Sequence, residues 1–497
     1  LTPLTPTSST SLRSSLPSPS NVTLTVLDTG VDPSTPALGG RVTCYDLSGS
    51  SDVRMSKIDD LNKHAEEKGL KAGAFEAGGG GEGGPPSEET RPWMHASVSL
   101  SSFLPGPAKK RLDDAARLAF KTSHDAALLA LEKGRPAKPD PKKATEEDHD
   151  RWSDYEALKK ELTSSLKKHQ SSPPGSIVDL YLSPSSTLHA SSAEGSLRPL
   201  PLNSPFSLDA SSSSTFTARL LPPGPAPLLS ATLQLVTDCG AHGTHVACIS
   251  AGEDGVCPKA LVESYRVGDQ RLGSMETTRS IAMALSHLTG DVVNMSYGEA
   301  VSTVGAGYLM PIIDSMINKH NRIFLSSAGN SGPALCTVGA PGGGFSRHVI
   351  SVGAWYDGEM SETLYSHLPS GSSGTYTWSS TGPCLDGSAG VDVIAPGGAF
   401  TGVPGWCLTK GKMMNGTSMS CPNAAGGVCL LVAMCKSEGI QYTPERVRKA
   451  IYNTCRRQPG LTILEQGWGM IDVERAWEWI KDAKDVWTED VRYSVEA

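Results

Sequence analysis

An aspartate, a histidine, a serine and an asparagine, each set among small residues, are the parts of this chain that could do chemistry together. Asp28 stands in Leu27-Asp28-Thr29-Gly30, directly after an apolar run. In an open parallel sheet, functional residues gather at the carboxyl ends of strands, which is where this aspartate falls. Alone the string is weak, because Asp-Thr-Gly also occurs in aspartic peptidases and in ordinary turns. His242 opens Gly240-Ala241-His242-Gly243-Thr244-His245, a small-residue segment expected to form a helix packed closely on the sheet. The two histidines are three apart and could share a metal, but no suitable third ligand follows, so His242 is assigned as general base and His245 as a structural neighbour. Ser418 sits in Asn415-Gly416-Thr417-Ser418-Met419-Ser420-Cys421-Pro422, which leads into an apolar run over residues 424–434. A serine at a helix start is by default only a cap. A base that takes its proton makes it a nucleophile, and the N–H groups of a helix start favour a developing oxyanion. Asn330, in Ser326-Ser327-Ala328-Gly329-Asn330-Ser331-Gly332-Pro333, ends a strand-like run with an amide that can donate to that oxyanion, the alternative being a turn asparagine.

The elements that must position these residues are legible as short, apolar, β-branched runs at residues 21–27, 260–267, 291–297, 322–327 and 349–352. Helix-compatible segments separate several of them, which predicts an α/β fold with a doubly wound, mostly parallel sheet flanked by helices. The expected α/β domain is residues 21–48 and 231–480, interrupted by an insertion over 49–230. Within it Trp152, Tyr155, Leu158, Leu162 and Leu166 recur at helical spacing, and residues 109–132 form a second helix candidate. Three prolines in 134–141 break the pattern, so a helical hairpin over about 107–169 is expected. Residues 1–20, 78–86 and much of the low-complexity stretch 183–227 are rich in Gly, Ser, Thr or Pro and are expected to be disordered. Residues 481–497 read as the start of a following segment.

With 497 residues the chain can bury a sizeable core, and its formal net charge of -8 shows no basic excess that would favour nucleic acid or an anionic membrane surface. No run approaches the ~18 consecutive apolar residues of a membrane span, and residues 1–20 do not have the pattern of a signal peptide. The chain begins at Leu1, as a piece of something longer would. Its 11 cysteines are an odd number without zinc-finger spacing, as expected of reduced thiols in a cytosolic protein. Cys239, Cys248 and Cys421 lie near the candidate catalytic strings, which predicts sensitivity to thiol reagents; buried, inert thiols are the alternative, for Cys248 above all. The chemistry proposed for the four strings requires no cofactor and no metal.

The order Asp, His, Ser distinguishes the chain from the chymotrypsin and α/β-hydrolase arrangements, and the four strings together resemble the subtilisin-like serine peptidases, the subtilase family. Asp28 and His242 lie 214 positions apart, where most subtilases use a few tens. That gap resembles the tripeptidyl-peptidase II family, which carries a long insertion here. Further similar strings are Val26-Leu27-Asp28-Thr29-Gly30-Val31-Asp32-Pro33, Ser274-Met275-Glu276-Thr277, Ser296-Tyr297-Gly298-Glu299-Ala300 and Trp378-Ser379-Ser380.

The resemblance implies that Glu276 and Glu299 hold the free amino terminus of a peptide substrate, and that Ser296, Tyr297, Gly298, Ser327, Ala328 and Gly329 line the cleft. Two carboxylates at a closed end would attract an ammonium, so that cleavage three residues away releases tripeptides; the alternative is two solvated surface glutamates. It further implies a cytoplasmic peptidase acting on peptides downstream of the proteasome, homo-oligomeric in the full-length family member. The stretch 183–227 departs from the family, in which this place holds ordered structure. A subtilisin-type endopeptidase and a catalytically inert interaction module remain the competing expectations.

Overall fold

The computed structural model describes residues 21–47, 52–71, 74–75, 92–140, 143–171, 177–192, 194–221, 230–269, 275–276, 278–299, 309–343, 348–366 and 373–482. The expectations for residues 1–20, 78–86 and the end of the chain beyond 482 lie outside them.

In chain order, β1 (Thr23–Asp28) and β2 (Val42–Tyr45) open the catalytic part. The insertion then supplies β3 (Asp52–Lys57), α1 (Leu61–Glu67), β4 (Met94–Ser99), α2 (Gly106–Lys133), α3 (Glu146–Ser171), β5 (Ile177–Leu182), β6 (Leu188–Ser191), β7 (Leu197–Leu200), β8 (Pro205–Phe206), β9 (Phe216–Leu220) and β10 (Ser230–Val236). The catalytic part resumes with α4 (Ala241–Ala251), β11 (Leu261–Arg266), β12 (Gly268–Asp269), β13 (Met275–Glu276), α5 (Thr278–His287), β14 (Val292–Met295), α6 (Leu309–His320), β15 (Ile323–Ser327) and β16 (Ile350–Tyr356). It ends with α7 (Gly358–Tyr365), β17 (Gly374–Thr375), β18 (Val393–Pro396), β19 (Gly398–Thr401), β20 (Lys412–Asn415), α8 (Thr417–Ser437), α9 (Pro444–Thr454), α10 (Ile463–Gln466) and α11 (Val473–Asp482).

The central sheet has the order β17-β16-β15-β14-β1-β11-β2, with β18 also on β16, and every pairing except β16 with β17 is parallel. Alternate residues of each strand face opposite layers. Leu24, Val26, Val292, Ile323 and Leu325 join the core formed with α4, α8, α9 and α11, whereas Leu27, Val293 and Phe324 join the one under α5 and α6. This is the doubly wound arrangement expected from the sequence. β2 and β18 were not anticipated. The 21-residue α8 is long and apolar enough to cross a membrane by length and composition, but it is buried against the sheet, as a core helix of the fold.

The insertion differs from the expectation. Instead of a hairpin plus disorder it builds a second eight-stranded sheet, β7-β6-β5-β4-β3-β10-β9-β8, wholly antiparallel. The stretch 183–227 contributes β6 to β9, and its serines make turns. Ser183 Oγ accepts from Thr187 N at 3.0 Å and Ser192 Oγ from Ser196 N at 3.1 Å, closing successive hairpins. Ser212 and Ser214 are buried. The hairpin of α2 and α3 is present. Ala108 and Leu112 of α2 pack into the core of this sheet. On α3, Tyr155 is buried but Leu158 is 50% exposed, so Leu158 does not belong to the packed stripe. The neighbouring Lys159, also exposed, ties the two helices at the surface, bonded to Glu132 of α2 at 2.6 Å with its ammonium over the Tyr155 ring.

Candidate functional site

The site assembles at the carboxyl edge of the central sheet. Asp28 ends β1 and is fully buried. The next residue ties it to the histidine segment: Thr29 N donates to Asp28 Oδ1 at 2.7 Å, Thr29 Oγ1 donates to Gly240 O at 3.1 Å, and Gly243 N donates to Thr29 Oγ1 at 3.0 Å. Thr244 Oγ1 accepts from Asp32 N at 2.9 Å, a further clamp between the two strings. Gly243 lies so close to β1 that a Cβ there would stand 2.4 Å from Gly30 O and 3.1 Å from Asp28 Oδ1. The glycine after the histidine is thus a requirement of helix-to-strand contact.

This clamp brings His242, the second residue of α4, against the carboxylate, with Nδ1 at 2.8 and 2.9 Å from the two oxygens of Asp28. Burial pulls the imidazole pKa down, but the charge and hydrogen bond of Asp28 more than offset this and hold it above the ordinary value. The His242 side chain keeps 24% exposure towards the cleft, whereas His245 is buried. Burial, with the proximity of His242, pushes the His245 pKa down to about 4. Being neutral, His245 donates from Nε2 to Lys412 O at 3.0 Å and so links α4 to β20, which leads into the serine string.

Ser418 is the second residue of α8, at the helix start expected from the sequence. Its hydroxyl donates to Ser296 O at 3.1 Å, and Ser296 Oγ returns a bond to Ser418 O at 3.0 Å while accepting from Asn294 Nδ2 at 3.0 Å. Asn330 follows β15, and its Oδ1 accepts from both Thr417 N and Thr417 Oγ1 at 2.9 Å. With Oδ1 so engaged, Nδ2 is left to donate. A Cβ placed on Gly416 would lie 3.5 Å from Asn330 Nδ2 and 3.6 Å from Ser418 N, so both nitrogens flank the residue that precedes α8. A pair of N–H donors is what a developing negative oxygen requires.

His242, Ser418 and Asn330 share one cleft of about 400 Å³ with Ser296, Tyr297, Gly298, Glu299, Ser327, Ala328 and Gly329. The Tyr297 ring meets the His242 ring edge-on at 5.9 Å. Glu299 is exposed at this cleft, its backbone bridged to Ala340. Glu276 ends β13, and its backbone pairs with Gly268; its side chain lies outside the described residues. Sequence reasoning passed over Thr29, Thr244 and Thr417, the hydroxyl residues that fasten the strings to one another. Each adjoins or lies within a motif, which was the available signal. Thr337 and Gly339 also line the cleft and had no such signal.

The thiol expectation is corrected. Cys239, Cys248 and Cys421 are all buried. Burial pushes the Cys248 thiol up to about 12 and the Cys421 thiol higher, while Cys239 Sγ donates to Thr29 O and Gly268 O. Burial closes all three to reagents, and Cys248 and Cys421 are also held far from the reactive thiolate form. Among the described residues, no cluster of three His, Cys, Asp or Glu side chains is arranged to hold a metal ion.

Comparison with known proteins agrees with this geometry. The profile of the Subtilase family matches residues 226–469. Tripeptidyl-peptidase 2 of Oryza sativa subsp. japonica is 44% identical over 277 residues, 53% of this chain and 20% of the relative. The Caenorhabditis elegans protein of that name is 41% identical over 276 residues, 54% and 20% of the two chains. A crystal structure of tripeptidyl peptidase 2 superposes with a TM-score of 0.61 at 25% identity, over 94% of this chain and 37% of that one. The match thus spans about a fifth of the length of these curated relatives. Residues 226–469 are thus similar to the Subtilase family, and β1, which delivers Asp28 from the other side of the insertion, pairs with β11 of that stretch.

Proposed function

We propose that this chain hydrolyses peptide bonds through an acyl-enzyme and releases tripeptides from the free amino termini of oligopeptides. The observation that carries the hydrolase is the joining of Asp28, His242, Ser418 and Asn330 at one cleft edge. An extended peptide lying along residues 296–298 would offer an N–H to Ser296 O, the acceptor now taken by the Ser418 hydroxyl. Displaced from that carbonyl, the hydroxyl turns to His242. The imidazole takes the proton as Oγ attacks the scissile carbonyl, and Asp28 steadies the imidazolium from Nδ1. The carbonyl oxygen becomes an oxyanion facing Asn330 Nδ2 and Ser418 N. His242 then protonates the leaving amine as the C–N bond breaks, and water releases the acyl group by the same steps in reverse order.

Release of tripeptides rests on Glu299 at the cleft, on Glu276 as its companion, and on similarity to proteins named tripeptidyl-peptidase 2. The substrates are short peptides with free amino termini, of the kind the proteasome delivers in the cytoplasm. Chromogenic tripeptides with free and with blocked amino termini test this. The free form should be cleaved far faster, and Glu299→Gln should narrow the difference; equal cleavage of both forms would leave only an endopeptidase.

A further inference from the structure

The two halves of the Asp–His pair are held by one short turn, residues 405–407, between β19 and β20. On the aspartate side, Gly405 N donates to Asp32 Oδ2 at 2.9 Å, four residues after Asp28. On the histidine side, Trp406 Nε1 donates to Asp238 Oδ2 at 2.5 Å, four residues before His242. The same turn is gripped by the insertion. Arg111 of α2 donates from Nη2 to Trp406 O at 2.6 Å and to Ser212 O at 2.8 Å, and the Trp406 ring is a member of the insertion's hydrophobic core. Strand β10 of the insertion sheet then runs into residues 237–240 and directly into α4. Gly30, with φ of 90°, turns beneath Asp238; a Cβ there would stand 3.0 Å from the Asp238 Cα.

Asp238 itself is an unusual partner for Trp406. It is 2% exposed, and its Oδ1 has no hydrogen-bond partner. Burial, with Asp32 nearby, favours the protonated acid, against the weaker pull of Trp406 and Arg266. Asp238 Oδ2 is the acceptor for Trp406 Nε1, and the side-chain oxygen of an asparagine can fill the same role.

We infer that Trp406 is a positioning residue, through which the insertion sets the geometry of Asp28 and His242. This rests on the hydrolase reading and is independent of the tripeptide specificity. Any displacement of the insertion core moves Trp406, and with it both segments that carry the pair. His242 is faced by Asp28 from β1, by Tyr297 after β14 and by His245 on its own helix. Of these Asp28 holds the imidazole pKa up, so loosening the pair lets burial draw it down.

The test is the pH dependence of peptide hydrolysis by the full chain, with fluorophosphonate labelling of Ser418. Trp406→Phe keeps the ring in the core and deletes only the donor. It should lower kcat roughly tenfold with KM nearly unchanged and move the acid limb of kcat/KM to lower pH by about half a unit. Arg111→Met, in the insertion, should shift the limb in the same direction by less. Asp238→Asn should leave the limb where the unaltered chain has it, whereas Asp238→Leu should reproduce Trp406→Phe. A uniform drop at every pH with no movement of the limb would reduce Trp406 to a stability contact and overturn the inference. Failure of the unaltered, folded chain to label at all would instead overturn the hydrolase reading, and the positioning role with it.

Discussion

The catalytic part and the insertion are both built around eight-stranded sheets, yet they hold together differently. In the catalytic part the strings that carry chemistry also carry the packing: Thr29, Gly243, Thr244 and Thr417 are bonded to, or pressed against, the segments of Asp28, His242 and Asn330. In the insertion the strands and turns build packing remote from the catalytic strings, and the tie to the chemistry runs through the turn at 405–407, gripped by Arg111 and by the core around Trp406. A change in the first region should therefore act on activity and fold together, whereas one in the second should act mainly on local stability unless it reaches that turn.

The largest effect is expected for Ser418→Ala, which removes the nucleophile. It should abolish fluorophosphonate labelling and reduce turnover by about 10⁶-fold, the magnitude known for subtilisin. Asn330→Ala should cost about 10²–10³-fold in kcat with little change in KM, again as in subtilisin; an equal rise in KM would argue against a role confined to the transition state. Gly243→Ala should be poorly folded, because its methyl group collides with the backbone at Gly30. A Gly243→Ala protein that melts like the parent would break the proposed unity of packing and chemistry.

Acid should also separate the regions. The pKa of His245 falls from its ordinary value of 6.5 to about 4 on folding, so its share of stability is complete above pH 6.5 and lost as pH falls towards 4. Denaturant titrations from pH 7 to 4 should show the loss, and His245→Asn should flatten that part of the curve. His64 and His189 in the insertion are also lowered by burial and add to the loss, whereas His242 and Asp392 in the catalytic part are raised and oppose it, so His245→Asn should remove one component of the slope and not the whole. The smallest effects belong to α3. Leu158→Ala should change stability by less than about 0.5 kcal/mol, as exposed sites do, whereas Tyr155→Ala, at a buried aromatic against α2, should cost about 3 kcal/mol.

Much of the catalytic part was legible in the sequence because parallel strands buried on both faces read as unbroken apolar runs. Residues 21–27 and 322–327 overlap β1 and β15 almost to the residue. β2 and β18 escaped because four residues suffice for a strand only when neighbours supply the hydrogen bonds, and those neighbours, β11 and β16, are distant in sequence. The insertion sheet escaped for a chemical reason. Serine in a turn such as 183–187 bonds to backbone, yet by composition alone the same residue types are those of chain that stays unfolded. Leu158 shows the converse error, since helical spacing admitted it to the stripe although its side chain is half exposed in the fold. Of the site, the strings and their order were visible, but the hydroxyls that join them were not, because the contact partner of a threonine is a property of the fold.

The pairing of β3 with β10 sets Asp52 opposite Gln234, so the insertion leaves and re-enters the catalytic part at nearly one place. The catalytic chain therefore experiences this long excursion much as it would a short turn, and the entropy of closing the loop is met within the insertion's own sheet. During synthesis from the amino end, every strand of that sheet has emerged before β1 meets either of its neighbours, β11 and β14. The insertion can thus fold first, carrying the aspartate strand unpaired on its flank until the rest of the peptidase arrives to enclose it.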